Sequence, residues 1–196
     1  MSHRRSLSER MLDALLVIGV AVTLIATGGS APALAYTETV QGTGNSAPWF
    51  DFDKNPSSAL NSTLTAYVSV GGVRYRISQR AGSGNGSTNE CLSNQGWLPN
   101  GYYWADERDS TRFEHINKTW GNEVVRGWVW NLGSKKCSGS TTRTELFIHS
   151  QGTSGWTNSN YSSNGCIKIN QTDRSHLHNR FNAAYDKSNG FLQVVS

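Results

Sequence analysis

The stretch LTAYVSVGGVRYRIS, residues 64–78, carries the clearest structural signal in this chain. On each side of the pair Gly71-Gly72, apolar side chains alternate with polar ones. A period of two residues puts every second side chain on the same face of a strand, and a Gly-Gly pair readily adopts the positive φ angles of a two-residue turn. The stretch therefore predicts a β-hairpin.

Most of the other structural signals also indicate strands. Residues 101–105, 124–132 and 145–149 contain the aromatic and β-branched side chains that strands favour. Residues 81–87 are different, because three glycines in five positions are poorly suited to any regular element. They predict a flexible loop.

Only one segment has helical periodicity, and it lies near the C-terminus. Behind an N-cap at Thr172 or Asp173, apolar side chains recur at the spacing of one helix face, and Gly190 follows the end of the pattern. These side chains are Leu177, Phe181, Ala184 and Tyr185. The expected fold class is mainly β with a C-terminal helix.

The first 35 residues have the features of a secretory signal peptide. Three arginines precede an apolar run over residues 14–26, and Ala33-Leu34-Ala35 supplies the small residues that signal peptidase requires. Cleavage before Tyr36 would leave a secreted, extracytoplasmic protein of the cell wall or periplasm, without stable membrane insertion. Either the Sec or the twin-arginine route would serve. An uncleaved anchor is the alternative, although the run is shorter than the roughly 20 residues of a membrane span.

The mature chain has the length of a single domain. Removing 35 of the 196 residues leaves 161. Residues 36–61 are rich in Gly, Ser, Asn and Thr, which predicts an extended lead-in before one folded domain over residues 62–196. The signal holds three of the 18 basic and two of the 14 acidic residues, which leaves 15 against 12. So small an excess predicts no nucleic-acid partner.

The chain has three cysteines, Cys91, Cys137 and Cys166. In an oxidising compartment two of them can form a disulfide, so one thiol stays free. Cys166 is the best candidate for the free thiol, because it follows Gly165 and lies near Ser163. Such small neighbours let a backbone turn tightly and present its N–H groups to a substrate.

A histidine lies 17 positions upstream of that thiol, at His149. A cysteine becomes nucleophilic near neutral pH when a histidine lowers its pKa, and the Ser150 carbonyl can orient that imidazole. The N–H groups of Gly165 and Cys166 are candidates for an oxyanion hole. A buried inert cysteine beside a structural histidine would give the same pattern.

The pattern resembles a known active-site signature. HS at residues 149–150, a Gly- and Asn-rich insert and SNGCI at residues 163–167 resemble the motif of the L,D-transpeptidases of the bacterial cell wall. LPNGYY, residues 98–103, resembles the Thr-Pro-x-Gly-x-Tyr/Phe segment that precedes the motif in that family. The resemblance spans residues 64–181 and implies a mainly β, cradle-like sandwich without cofactor or metal.

The resemblance also implies roles for individual residues. Cys166 would be the nucleophile, His149 its base and the Ser150 carbonyl the orienter of that base, while Ser163 and Gly165 would shape the loop. Three residues would contact the peptide. These are Ser163, Asn164 and Lys168. Asn164 and Lys168 depart from the family, which usually has His or Arg at the first position and Arg or Asn at the second.

The implied substrate is a peptidoglycan stem peptide. The thiolate would attack the bond between the diamino acid at the third position and a terminal D-alanine, and an amine of a second stem would resolve the thioester. Water in that role would make the protein an L,D-carboxypeptidase, and a non-catalytic wall-binding module of the same fold is a third reading. With Cys166 assigned to catalysis, Cys91 and Cys137 are expected to form the disulfide.

Two other features of the sequence allow a functional reading. The seven tryptophans suit a sugar-stacking platform, but Trp128 and Trp130 fall on one face of a predicted strand, which favours core packing. His176 and His178 lie two residues apart on the predicted helix and so point in different directions. Both are therefore expected at the surface, and no metal site is predicted.

Overall fold

The hairpin predicted for residues 64–78 forms in the computed structural model, which describes residues 36–106, 110–137, 141–152 and 160–196. Strands Ser62–Val70 and Val73–Ser83 pair in an antiparallel ladder. Gly71 and Gly72 connect them with φ angles of 57° and 79°. Positive φ at both central residues is the requirement of a type I′ turn, which glycine meets without strain.

The described residues contain ten strands, one α-helix and one short 3₁₀ helix. In chain order the strands are β1 (Tyr36–Thr43), β2 (Trp49–Asp53), β3 (Ser62–Val70), β4 (Val73–Ser83), β5 (Gly101–Tyr103), β6 (Thr111–Lys118), β7 (Gly127–Lys136), β8 (Thr142–Ser150), β9 (Ile167–Ile169) and β10 (Phe191–Val195). Helix α1 (Gln171–Asn182) and the 3₁₀ helix (Lys187–Asn189) lie between β9 and β10. The expected mainly β class with a C-terminal helix is confirmed.

All ten strands belong to one nearly closed sheet. Nine follow one another in the order β5-β10-β2-β3-β4-β9-β8-β7-β6. One edge of β4 is shared, because β1 pairs with its first part and β9 with its end. The pairs β2–β10 and β8–β9 are parallel, and the other pairs are antiparallel.

The lead-in expected over residues 36–61 is wrong. β1 and β2 lie in this segment and both are paired in the sheet, so the folded domain begins at Tyr36 rather than at residue 62. Phe50 and Phe52 of β2 are fully buried. The five residues WFDFD alternate between apolar and polar side chains as a strand should. A run this short, flanked by polar residues, is too weak a pattern to predict a strand from sequence.

The loop expected over residues 81–87 is also wrong in its first part. β4 continues through Ser83 and pairs with β9 there. Gly82 is needed because a Cβ at this position would overlap the Tyr161 carbonyl oxygen. The glycines therefore serve close packing of two segments rather than flexibility. β7 begins at Gly127, three residues later than the sequence predicts.

The core lies between the sheet and helix α1. The Phe50 ring contacts Phe113 edge-on at 5.0 Å between centroids, Trp130 at 5.5 Å and Phe181 of α1 at 5.9 Å. Edge-to-face and tilted contacts of this kind add to the gain from burying the aromatic rings. Trp130 is fully buried as expected, whereas Trp128 is 38% exposed.

Side-chain contacts cap the start of helix α1 and hold the helix against β1. Asn170 is the N-cap, since its Oδ1 accepts from the Thr172 N–H at 2.8 Å. Glu38 of β1 then binds two side chains of the helix, His176 at 2.6 Å and the Arg180 guanidinium. Tyr36 stacks on His176 with 3.9 Å between the ring centroids.

The two helix histidines are not free surface residues, which corrects the sequence interpretation. Both are half-buried, because β1 and β6 cover this side of the helix. His178 Nδ1 lies 3.2 Å from His115 Nε2, and His178 stacks on Trp128.

Among the described residues, no helix is both long enough and apolar enough to cross a membrane.

We expect Phe50→Ala to lower the free energy of unfolding by about 3–5 kcal/mol, because it empties the centre of the aromatic core. Val40→Ala is the matched control: Val40 is 63% exposed, and its truncation should change the same quantity by about 0.5 kcal/mol or less. Denaturant unfolding of both variants measures the difference. A loss below about 1 kcal/mol for Phe50→Ala would contradict this description of the core.

Candidate functional site

The candidate site lies where β8 and β9 run parallel. His149 is opposite Lys168 in the ladder, while the neighbouring pair, Ile148 and Ile167, points into the core and is fully buried. Cys166 directly precedes β9. His149, Cys166 and Lys168 all line one cavity of about 450 Å³, so the structure brings together the three side chains that the sequence singled out.

His149 is held in one orientation. Its Nδ1 lies 2.9 Å from the Ser150 carbonyl oxygen, the contact expected from the sequence. The imidazole is 3% exposed, and burial lowers its pKa to about 4. His149 is therefore neutral at pH 7, with Nδ1–H donating to the carbonyl and Nε2 carrying the lone pair.

The Cys166 thiol is half-buried and protonated at neutral pH. Burial raises its pKa to about 11, and a hydrogen bond with the Phe147 backbone and the charge of Arg143 offset only part of that rise. The thiol donates to the Glu145 carbonyl at 3.5 Å. This direction is opposite to the sequence expectation, because a neutral imidazole has no charge with which to favour a thiolate.

Ser163 fixes the loop that presents Cys166. Its hydroxyl donates to the Cys166 carbonyl at 2.6 Å and accepts from the N–H groups of Gly84 and Gly165, each at 3.2 Å. The Ser163 N–H donates to the Gly84 carbonyl at 2.9 Å. All of the hydroxyl's hydrogen-bonding capacity is thus used inside the protein, which supports a shaping role and leaves none for substrate.

Gly165 lies where the loop turns, in line with the expected loop-shaping role, but its N–H is engaged inside the loop. Its N–H donates to Ser163, so it is not free to join an oxyanion hole. Its φ of 115° is open only to glycine, and a Cβ would overlap the Arg143 Nη2. The loop can therefore turn here only because the residue has no side chain.

Arg143 is the largest contribution that sequence reasoning missed. Its side chain is buried beneath the loop, where Nη2 donates to the Asn164 carbonyl at 2.7 Å. Nη1 donates to the carbonyls of Glu90 at 2.7 Å and Trp97 at 3.5 Å. Nothing local marks this arginine, since the three carbonyls come from distant parts of the chain.

The segment LPNGYY, residues 98–103, packs against the same loop. Ser83 Oγ accepts from the Leu98 N–H at 2.8 Å and donates to the Gly165 carbonyl at 3.3 Å. Tyr103 is buried, and its hydroxyl donates to the Pro99 carbonyl at 2.8 Å. The two motifs that the sequence analysis identified separately are thus joined through one serine of β4.

Charged and aromatic side chains also line the cavity. Lys118 Nζ lies 2.9 Å from the centroid of the Trp120 ring and 4.7 Å from that of Phe147. Glu145 adopts a φ of 55°, unusual for a residue in a strand. Strained backbone of this kind is found at functional sites, and here the residue supplies the carbonyl that contacts the thiol.

Lys168 and Asn164 lie on either side of Cys166 and both line the cavity. Lys168 is 2% exposed, and burial lowers its pKa to about 8, while the neighbouring Cys166 acts in the opposite direction. Asn164 is exposed, with its backbone carbonyl bound by Arg143. The two residues that depart from the family motif therefore both lie at the cavity beside Cys166.

Cys91 and Cys137 are adjacent in this structure, and both are in the thiol form. The Cys137 thiol donates to the Glu90 carbonyl at 3.3 Å. Burial, followed by the hydrogen bond with Cys91, raises the pKa of Cys137. The disulfide between them stays a prediction, and their contact is consistent with it.

In the part of the chain that the structure describes, no cluster of three or more potential metal ligands is present.

Comparison of the chain with protein families, with curated proteins and with solved structures finds no match. The resemblance to the transpeptidase signature therefore rests on the quoted motifs. The predicted signal peptide, residues 1–35, lies wholly outside the described residues. Most of the insert between His149 and Ser163 also does, because residues 153–159 are not described.

We expect the secreted protein to contain a Cys91–Cys137 disulfide. The 45 residues that it would enclose correspond to about 4 kcal/mol of stabilisation in the chain-entropy model. Peptide mapping without reductant identifies the bridge directly. A bridge from Cys166 as the major species would refute both the pairing and the assignment of Cys166 as the free thiol.

We expect the Cys166 thiol to ionise with an apparent pKa of about 11. Burial favours the neutral form. The rate of alkylation of Cys166 by iodoacetamide should therefore keep rising at pH values where the rate for a free cysteine, with a pKa of about 8.5, has already levelled off. Mass spectrometry of the Cys166 peptide across this pH range measures the rate, with glutathione as the reference thiol. A plateau below about pH 8 would mean that the resting thiol is activated.

Proposed function

We propose that this protein is a secreted peptidoglycan L,D-transpeptidase in which Cys166 is the nucleophile and His149 its base. The observation that carries the proposal is the contact of 2.9 Å between His149 Nδ1 and the Ser150 carbonyl, in a cavity that the Cys166 thiol also lines. A histidine held in this way presents the Nε2 lone pair that a general base needs.

The neutral forms of both groups suggest how the first half of the reaction would run. The thiol has a pKa of about 11 and the imidazole one of about 4, so the thiol proton would pass to His149 Nε2 only as sulfur attacks the substrate carbonyl. The imidazolium would then give that proton to the departing D-alanine nitrogen. The C–N bond breaks, and a thioester to Cys166 remains.

Fixed positive charge supports this step. Arg143 and Lys168 both favour the anionic form of Cys166, and Lys118 interacts electrostatically with the same thiol across the cavity. A negative charge that develops on sulfur or on the carbonyl oxygen would be stabilised without any rearrangement of these groups. With the Gly165 N–H bound to Ser163, the backbone donor to the oxyanion is assigned to the Cys166 N–H.

The same charges suit the substrate. A stem peptide carries free carboxylates, which lysines at the cavity would attract. The cavity of about 450 Å³ is within the usual range of roughly 300–1,000 Å³ for ligand sites, and the exposed Trp120 at its rim offers an apolar surface. In the second half of the reaction, an amine attacks the thioester, gives a proton to His149 and releases the thiol.

The raised pKa of Cys166 favours one other candidate, a non-catalytic wall-binding module. Such a module has no need of an activated thiol, and the resting thiol here is not activated. The two candidates differ in whether the thiol forms a covalent intermediate.

We expect Cys166→Ala to abolish product formation, because no other group can form the thioester. His149→Ala should lower turnover by about 10²- to 10⁴-fold, the usual contribution of a general base. Mass analysis of stem peptides incubated with the secreted protein measures both effects. The donor should be a stem that ends in the diamino acid and one D-alanine, and a carbapenem should, by resemblance, add its mass to wild type but not to Cys166→Ala.

The matched control is His178→Ala, since this histidine lies on helix α1 and not among the residues that line the cavity. Circular dichroism confirms that each variant is folded. Undiminished turnover in Cys166→Ala would remove the mechanism. Release of D-alanine without cross-linked product would identify the protein as a carboxypeptidase. A wild type that neither turns over stem peptides nor gains the mass of the carbapenem would favour the wall-binding module.

A further inference from the structure

A second cavity, of about 560 Å³, lies on the outer face of strands β10, β2, β3 and β4. The ladder registers align one row of side chains beside it: Phe191 is opposite Trp49, Trp49 opposite Tyr67, and Tyr67 opposite Arg76. Tyr67 and Arg76 line the cavity itself, and Trp49 borders it through its contact with Tyr67. Trp49 and Tyr67 stack with 4.4 Å between ring centroids and an interplanar angle of 13°. An aromatic row that ends in a guanidinium therefore runs across four strands.

A polar row runs beside the aromatic one. Two residues further along each strand, Gln193 is opposite Asp51 and Asp51 opposite Thr65. We call these two rows together the outer groove. The Trp49 side chain hydrogen-bonds to Asp51, which fixes the indole in the groove.

The outer groove is not part of the core. Its residues alternate along the strands with the buried side chains of Phe50, Phe52 and Leu64, so they face away from the interior. Trp49 and Tyr67 are half-exposed, so part of each ring is accessible to a ligand.

Several polar groups of the groove are available to a ligand. Within the described part of the chain, the side chains of Asp53, Arg76 and Gln193 form no hydrogen bond. They offer a carboxylate, a guanidinium and an amide, that is, both donors and acceptors, beside an aromatic surface.

We propose that the outer groove binds a neutral glycan, with a sugar ring on the Trp49–Tyr67 row and its hydroxyls bound by Asp51, Asp53 and Gln193. A pyranose has an apolar C–H face and a rim of hydroxyls, so it needs an aromatic surface bordered by hydrogen-bonding groups. The groove has this arrangement, and its volume suits a few sugar units.

The charges of the groove favour a neutral ligand over an anionic one. Asp51 and Asp53 outnumber the single Arg76, so phosphates and nucleic acid would be repelled. Carboxylates are also depleted at the centres of protein interfaces, which argues against a second copy of this chain. We assign the ligand to the N-acetylated glycan strands of the bacterial wall, and this choice of glycan rests on the proposed function.

The test uses the secreted protein and a soluble tetramer of N-acetylglucosamine. Calorimetric titration should show saturable binding, equal in wild type and in Cys166→Ala, so that failure of the transpeptidase proposal does not affect the result. Trp49→Ala should weaken binding about tenfold or more, through loss of the stacking surface. Asp53→Asn, an exposed and conservative change, should weaken it several-fold without altering the fold.

Trp128→Ala is the control, because this half-exposed tryptophan lies on β7 and outside the outer groove. It should bind the tetramer as wild type does. Absence of saturable binding in wild type, or equal binding by wild type, Trp49→Ala and Asp53→Asn, would overturn the proposal. A concentration-dependent dimer in sedimentation that Tyr67→Ala abolishes would also overturn it. Binding of cellotetraose but not of the N-acetylglucosamine tetramer would overturn the assignment to N-acetylated glycan strands.

Discussion

The buried guanidinium of Arg143 is the interaction on which the site depends. It holds the carbonyls of Glu90, Trp97 and Asn164, and so ties the loop before Cys166 to Glu90 and Trp97, roughly 75 and 70 residues upstream of Cys166. Hydrogen bonds from a charged donor contribute about 1.5–3 kcal/mol each, more than those of neutral pairs. Among the described residues no carboxylate pairs with this cation. Its charge is therefore left to act on the thiol above it.

That uncompensated charge reconciles a poorly ionised thiol with the catalytic role proposed for it. In the resting state, burial favours the neutral thiol and the neutral imidazole. Arg143 and Lys168 therefore meet no negative charge on these two groups at rest. Their effect grows when negative charge appears on sulfur or on a substrate oxygen. An interaction stronger in the transition state than in the ground state is the one that accelerates a reaction. The strained carbonyl of Glu145, which accepts from the resting thiol, belongs to the same preorganised arrangement.

The sequence predicted the parts of the fold and site that depend on local pattern. The hairpin, the C-terminal helix and the His149–Ser150 contact follow from alternation, helical spacing and a short motif, and the structure contains all three. The strands before residue 62 were missed because WFDFD is only five residues long. Arg143, Lys118 and Glu145 were missed for a different reason. They meet Cys166 only through the pairing of β6, β7, β8 and β9, and no single-residue signal reports a pairing between distant segments. The Gly165 N–H was misassigned because its hydrogen bond to Ser163 depends on the same tertiary arrangement.

Strand β4 links the two proposed binding regions and sets their separation. Arg76 near its start lies in the outer groove, and Ser83 at its end supports the Cys166 loop. Seven residues of strand span about 23 Å at roughly 3.3 Å per residue. A stem peptide extended as far as its third residue reaches only about 11 Å. A glycan in the outer groove would therefore not be the sugar that carries the reacting stem. The groove would instead hold a neighbouring stretch of glycan, which raises the local concentration of stems at the cavity while leaving each stem free to enter and leave.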